Sequence, residues 1–265
     1  MMMYTISKNL KLTSIILMFT GFIGLTYGFL SAPSNYEEAQ EMYPEYGHSN
    51  NKVVKVTDNS NDKVYNVQDE ENHKEHLLHK LQNRPWAALY VAALFFFFIS
   101  LGTIAFYAIQ RASQSGWSPV LYRVMEGITA YLLPGGIVVF VILLLSCLHF
   151  NHLFIWMDAD VVAEDKIIRD KVGYLNIPFF LARALFFIFG WALYRYFSRK
   201  FSLAQDKAND IVNHKRNFKI SAAFLVFYIV TESIMSWDWI MSIDPHWFST
   251  LFGWYVFASM FVTAI

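Results

Sequence analysis

Long apolar runs separated by polar stretches organise the chain. Six of them, at 12–30, 86–109, 123–148, 177–197, 218–241 and 247–265, approach the roughly 20 residues that a helix needs to cross a bilayer. The pattern predicts an all-α fold, a polytopic transmembrane helical bundle. Lys8 and Lys11 precede the first run, as in a signal peptide. That run is longer than the usual apolar region of about 7–15 residues, and GFLSAP offers no clean cleavage site. An uncleaved anchor helix within 1–30 is therefore expected. The last run is still apolar at Ile265, so further helices are expected to follow in a longer chain.

Residues 31–85 break this pattern, being rich in Asn, Asp, Glu and His and poor in aliphatics. They read as a polar connector outside the membrane, followed by the bundle over 86–265. The run HKEHLLHK spaces His73, His76 and His79 by three residues, a spacing that could hold zinc. An amphipathic lead-in to the second helix explains it without a metal, and no further ligand is evident, so no metal site is expected.

Charge orients the bundle. Arg111 and Arg123 lie between the second and third runs, and 195–219 carries seven Lys and Arg, whereas 158–171 is dominated by aspartate and glutamate. The positive-inside rule then places the N-terminus in the cytoplasm and the 231–250 stretch at the outer, periplasmic face. Trp191 and Tyr194 near one face, and Trp237, Trp239 and Trp247 near the other, suit interfacial belts.

Composition agrees with a membrane protein: 55% of residues are hydrophobic and 16% charged, against about 25% charged in soluble domains. The formal net charge is zero, so no global field attracts nucleic acid. Cys147 is the single cysteine. It excludes an intrachain disulfide, a CxxCH haem site and a cysteine-ligated iron–sulfur cluster within this sequence.

Against that background TESIMSWDWIMSIDPHWFST (231–250) stands out. It sets Glu232, Asp238, Asp244 and His246 among tryptophans between two apolar runs. A charged side chain at a helix centre costs about 2.5–3.5 kcal/mol on insertion scales, and an intramembrane carboxylate is a functional candidate by default. Asp244-Pro245-His246 reads as a tight turn into the sixth helix, with Asp244 or Ser242 as a cap. Pro134-Gly135-Gly136 predicts a kink or a close helix approach in the third run. His149 and His152 follow at its outer end. Arg183 lies one to two turns from the outer end of the fourth run, where it could answer Glu232 or Asp238. At the inner end Arg123 and Glu126 are spaced to pair.

His149, Arg183, Glu232, Asp238 and His246 thus belong to the same half of successive helices. Proton-exchanging groups with nearby aromatics, Trp237 and Trp239, suit a quinone headgroup, whose oxidation needs a base within hydrogen-bond reach. Glu126 is a candidate for a proton path from the inner side. A haem held by His149 and His246, or a transporter built around the broken third helix, uses the same residue types.

The segments QNRPWAALYVAALFFFFISLGTIAFYAIQ, GWSPVLYRVMEGI, HFNHLFIWMD and SWDWIMSIDPHWFSTLFGWYVFAS resemble the ActF family, quinone-binding-type membrane subunits of bacterial alternative complex III, a quinol:cytochrome c oxidoreductase. The resemblance covers 80–265. It implies an NrfD-like bundle, like the polysulfide reductase membrane subunit, in the bacterial inner membrane. It also implies a sister NrfD-like subunit, an iron–sulfur protein, multihaem cytochrome c subunits and a terminal oxidase as partners. Those partners would hold the haem and iron–sulfur centres that this chain lacks, with menaquinone or ubiquinone as the quinone. The sister subunit carries a histidine where this sequence has Glu232, and the resemblance implies quinol chemistry centred there.

Three readings make separate demands. A quinone site needs an opening to lipid beside Asp238, and a proton path needs polar groups linking Glu126 to Glu232. A purely structural subunit needs both Glu232 and Asp238 fully paired.

Overall fold

The computed structural model describes residues 7–42 and 67–265, with side chains from residue 78 onward in the second stretch. Every regular element among the described residues is helical. They are α1 Lys8–Leu30, α2 Tyr36–Met42, α3 Val67–Ser113, α4 Tyr122–Ile128, α5 Leu132–Cys147, α6 Ala159–Glu164, α7 Lys166–Asp170, α8 Ile177–Gln205, α9 Val212–Trp239 and α10 Phe252–Ala264. Five helical stretches are long and apolar enough to cross a membrane: Lys8–Leu30, Leu78–Ser113, Tyr122–Cys147, Ile177–Gln205 and Val212–Ile243. The chain therefore has the architecture of a multi-pass membrane protein. The sixth expected segment differs. Its helix, α10, has 13 residues, about 20 Å at 1.5 Å per residue, short of the roughly 30 Å hydrocarbon layer. Residues 244–251 form the turn ahead of it.

The chain divides between Leu89 and Tyr90, a boundary that falls inside α3. In the first unit, the Phe29 and Trp86 rings meet edge to face at 4.9 Å, and Gln82 Nε2 donates to the Pro33 carbonyl at 3.2 Å. Part of the expected connector is helical here, because α3 begins at Val67 and runs through Pro85. Residues 43–66 and the side chains of His73 and His76, on which the zinc alternative depends, lie outside the described residues.

In the second unit α8 packs along α9, α5 packs on α8, and α10 packs on α9. The third run is broken as the proline predicts. Pro134 offers no N–H to the carbonyl four residues before it, and residues Thr129–Tyr131 tighten into a 3-10 turn between α4 and α5. Gly136 gives the close approach: a Cβ there would lie 3.0 Å from Ile188 and 3.3 Å from Phe97.

At the centre Phe97, Trp191 and Trp239 contact one another with ring centroids about 6 Å apart. Trp191 and Trp239 are both 0% exposed, so they belong to the bundle core and not to interfacial belts. Tyr194 is likewise buried, stacked on Phe224 at 3.8 Å. Two of these residues find polar partners inside the protein. Trp191 Nε1 donates to Thr231 at 3.0 Å, and Tyr194 shares a hydrogen bond with Ser221 at 2.8 Å. Trp191 and Tyr194 thus carry a satisfied polar handle into the core, whereas the Trp239 indole N–H has no partner there among the described residues.

Candidate functional site

Polar side chains gather at two ends of the bundle. Arg183 and Ser202 mark them on α8, about 28 Å apart at 1.5 Å per residue.

At the first end Asp238 is fully buried. Arg183 grips it at two points, Nε to Oδ2 at 2.6 Å and Nη2 to Oδ1 at 3.0 Å. The Tyr174 hydroxyl donates to Oδ1 at 2.8 Å, and Arg183 Nη1 donates to the Tyr174 carbonyl at 3.3 Å. The guanidinium lies 4.1 Å from the Tyr174 ring centre and 4.2 Å from that of Phe179. A planar fork can meet both carboxylate oxygens and stack on rings at once, which a lysine cannot. Burial first, and then the charge of Asp238, push the Tyr174 phenol well above its ordinary range. The hydroxyl therefore keeps the proton it donates. Both Asp238 oxygens are engaged, so a quinol hydroxyl would have to displace a partner to reach one.

The loop before α8 is held to the turn after α9 at two further points. Lys171 Nζ donates to the Pro245 carbonyl, and His246 Nε2 lies 2.5 Å from Asp165 Oδ2. Asp165 also caps α7 by accepting from the Ile167 and Ile168 N–H groups. Desolvation pushes Asp165 up, but the His246 hydrogen bond and charge and these two N–H groups together outweigh it and hold the carboxyl below its usual range. Asp244 accepts from the His246 N–H at 3.1 Å. It shapes the turn instead of capping α10, whose preceding residue is Leu251.

Glu232 differs from Asp238. It is 3% exposed, and its Oε1 has no hydrogen-bond partner. One turn earlier on α9, the hydroxyl of Tyr228, 1% exposed, is also without a partner. Tyr228 faces Phe257 of α10, and Ser236 faces Gly253, so Glu232 lies on the side of α9 that α10 covers.

His149 is not brought to this cluster by any hydrogen bond. α5 ends at Cys147, so His149 and His152 do not share a helical face. His149 instead adopts the left-handed conformation with φ 59°. Its N–H bonds to the Ser146 carbonyl at 3.1 Å, and the next N–H, of Phe150, bonds to Leu145 at 3.1 Å. This pair of bonds is the Schellman termination, usually built on glycine. Trp237 is half-buried with its indole N–H unpartnered, and the Trp239 carbonyl accepts from Tyr90 at 2.8 Å.

The second end is more extensive than the sequence suggested. Glu126 accepts from Arg123 at 2.6 Å and from Tyr107 at 3.2 Å, with Arg111 4.0 Å away. Arg111 is buried, over the Tyr122 ring at 3.7 Å, and donates to Tyr107 and Ser202, both at 3.0 Å. Ser198 donates to Asn217 at 2.7 Å, and both reach the Tyr107 hydroxyl. The expected Arg123–Glu126 pair is present. Tyr107, Arg111, Ser198 and Asn217 were not anticipated. Spacing was the available signal: Asn217, Ser221, Tyr228 and Glu232 fall at i, i+4, i+11 and i+15, one face of a helix. Between Ser221 and Tyr228, about 10 Å of rise, that face carries buried Phe224.

No family model matches the chain, and no curated protein matches it. The elements and contacts above define a multi-pass helical membrane protein with two buried polar clusters and one buried carboxylate left partly unpaired.

Proposed function

We propose that this chain is a membrane subunit of a quinol:cytochrome c oxidoreductase of the alternative complex III kind, and that its own part is proton handling at Glu232. The resemblance of SWDWIMSIDPHWFSTLFGWYVFAS and the neighbouring segments supports the first half. The second half rests on one observation: Glu232 is buried within a membrane-spanning helix and keeps a carboxylate oxygen free of partners. A group of that kind has a cost with no structural return, which favours a role in proton exchange.

In this reading α10 begins a sixth span, and the protein lies in the bacterial inner membrane with a cytoplasmic N-terminus. A sister NrfD-like subunit, an iron–sulfur protein and multihaem cytochromes carry the electrons. The Glu126 cluster receives protons on the inner side, and their passage to Glu232 requires water to bridge the apolar gap at Phe224. The Arg183–Asp238 pair closes the outer end, and a quinone beside it would require the pair to open. Glu232→Gln in the purified assembly tests the reading. Quinol:cytochrome c turnover with its coupled proton release is expected to fall on the order of a hundredfold, the usual worth of a positioned acid–base group. Unchanged turnover and proton release in an intact assembly would contradict it.

A further inference from the structure

The end of the bundle that carries Glu126 holds more positive charge than its carboxylates can answer. Glu126 is taken by Arg123 and Tyr107, and Asp206 is taken by Arg123 as well. Arg111 lies within 4.0 Å of the same Glu126 oxygen that Tyr107 uses. Arg195 and Arg199 remain. They are spaced i, i+4 on α8, so their like charges lie on one face and repel. Arg195 makes one hydrogen bond among the described residues, donating from Nε to Thr129 at 3.3 Å, and shares the charge of Glu126 with Arg123 and Arg111. Arg199, exposed, makes no hydrogen bond or ion pair among the described residues.

These two arginines border a small cavity shared with Tyr107, Glu126, Thr129 and Ser198. Its free volume is about 10 Å³, close to the least that holds one water-sized group. The cavity has room for no more than one water-sized group, and Arg195, Arg199 and Glu126 all contribute to its wall. Apolar surface lies on the same side of α8 as Arg199: Tyr196, three residues before it, is 61% exposed. A phosphate anchored here would have hydrocarbon-compatible surface beside it.

We propose that Arg195 and Arg199 form a binding site for the phosphate of an anionic phospholipid headgroup, with the phosphate held between the two guanidinium groups outside the cavity that Glu126 lines and the acyl chains against the bundle's apolar face. Guanidinium groups suit this ligand because they donate from a fixed fork to phosphate oxygens. A lipid is favoured over free phosphate because apolar surface flanks the site and the arginines lie at the end of a membrane-spanning helix. The site is separate from Glu232, so its failure leaves the proton-handling proposal untouched.

The test is binding of phosphatidylglycerol and of phosphatidylcholine with the same acyl chains to the full chain in detergent, read by native mass spectrometry. Phosphatidylglycerol is expected to bind more tightly. Arg199→Gln and Arg195→Gln are each expected to weaken it about tenfold or more, the worth of a charge-assisted hydrogen bond, without changing phosphatidylcholine. Arg199 is exposed and unpaired, so its variant leaves folding intact. Lys200→Gln, on the same helix but away from the cavity, is expected to change nothing. An unaltered lipid preference in both arginine variants would overturn the proposal. So would an equal loss in Lys200→Gln, which would indicate diffuse attraction. Competition by millimolar inorganic phosphate that removes the lipid preference would assign the site to the free ion and overturn the lipid assignment.

Discussion

Arg183 of α8 and Asp238 of α9 form a two-point ion pair, 2.6 and 3.0 Å, at 9% and 0% side-chain exposure. Desolvating two charges offsets much of their attraction, so a pair of this kind contributes little net stability while its partial removal is costly. Its evident effect is geometric, joining the start of α8 to the end of α9 and, through Tyr174, to the preceding loop.

Removing one partner should therefore expose the cost. Asp238→Asn leaves the buried guanidinium without its counter-charge and is expected to destabilise the protein by about 3–5 kcal/mol. Replacing both partners together, Arg183→Met with Asp238→Leu, should recover much of that loss. Thermal unfolding in detergent measures both. Equal destabilisation by the single and double variants would argue against the pair as described.

His149 offers the opposite sign. A non-glycine residue in the left-handed region costs about 1–2 kcal/mol, and the exposed His149 side chain makes no hydrogen bond among the described residues to offset it. His149→Gly is expected to raise stability by about 1 kcal/mol and leave turnover unchanged. A large loss of activity would return His149 to the proton-handling group.

Two glycines should respond differently to the same added methyl group. At Gly102 a Cβ would lie 2.4 Å from the Met260 carbonyl oxygen, a backbone atom of α10. At Gly190 it would lie 2.4 Å from the Phe227 ring tip. Backbone cannot turn aside as a ring can, so Gly102→Ala is expected to cost about 1–3 kcal/mol and more than Gly190→Ala. Melting temperatures of the two variants decide the order.

The Asp165–His246 contact carries a pH dependence. Asp165 is held below its usual range, so the folded state binds its proton less tightly than the unfolded chain does. Its contribution is present above about pH 4, the ordinary aspartate value, and is lost as pH falls further through the folded value. Protection of the 159–170 amides against hydrogen exchange, relative to their intrinsic rates at each pH, should therefore fall below about pH 4 in the wild type. Asp165→Asn should abolish that step, and an unchanged acid profile would contradict the assignment.

Hydropathy made the spans legible, because lipid imposes a length that no loop meets. The Arg123–Glu126 pair and the break at Pro134 were legible for similarly local reasons. The choice of Asp238 over Glu232 as the partner of Arg183 was not. It depends on the relative register of α8 and α9, which side-chain packing sets and sequence spacing does not. Tryptophans misled for the same reason, since an indole is equally apolar at an interface and in a core. Arg111 was read as a loop charge because its burial depends on Tyr122 and Glu126, which both lie beyond the intervening turn and meet it only in space. His149 looked like a base because nothing in its immediate sequence reports a positive φ.

In the proposed function Glu232 is free to exchange protons while Asp238 is held. A membrane-permeant carbodiimide, dicyclohexylcarbodiimide, adds to carboxyl groups in apolar surroundings and leaves an N-acylurea that mass spectrometry locates. Treating the purified assembly is predicted to place the adduct on Glu232 and not on Asp238, with turnover falling in step with Glu232 occupancy. An adduct on Asp238 with Glu232 unmodified, or full modification of Glu232 with turnover intact, would contradict the claim.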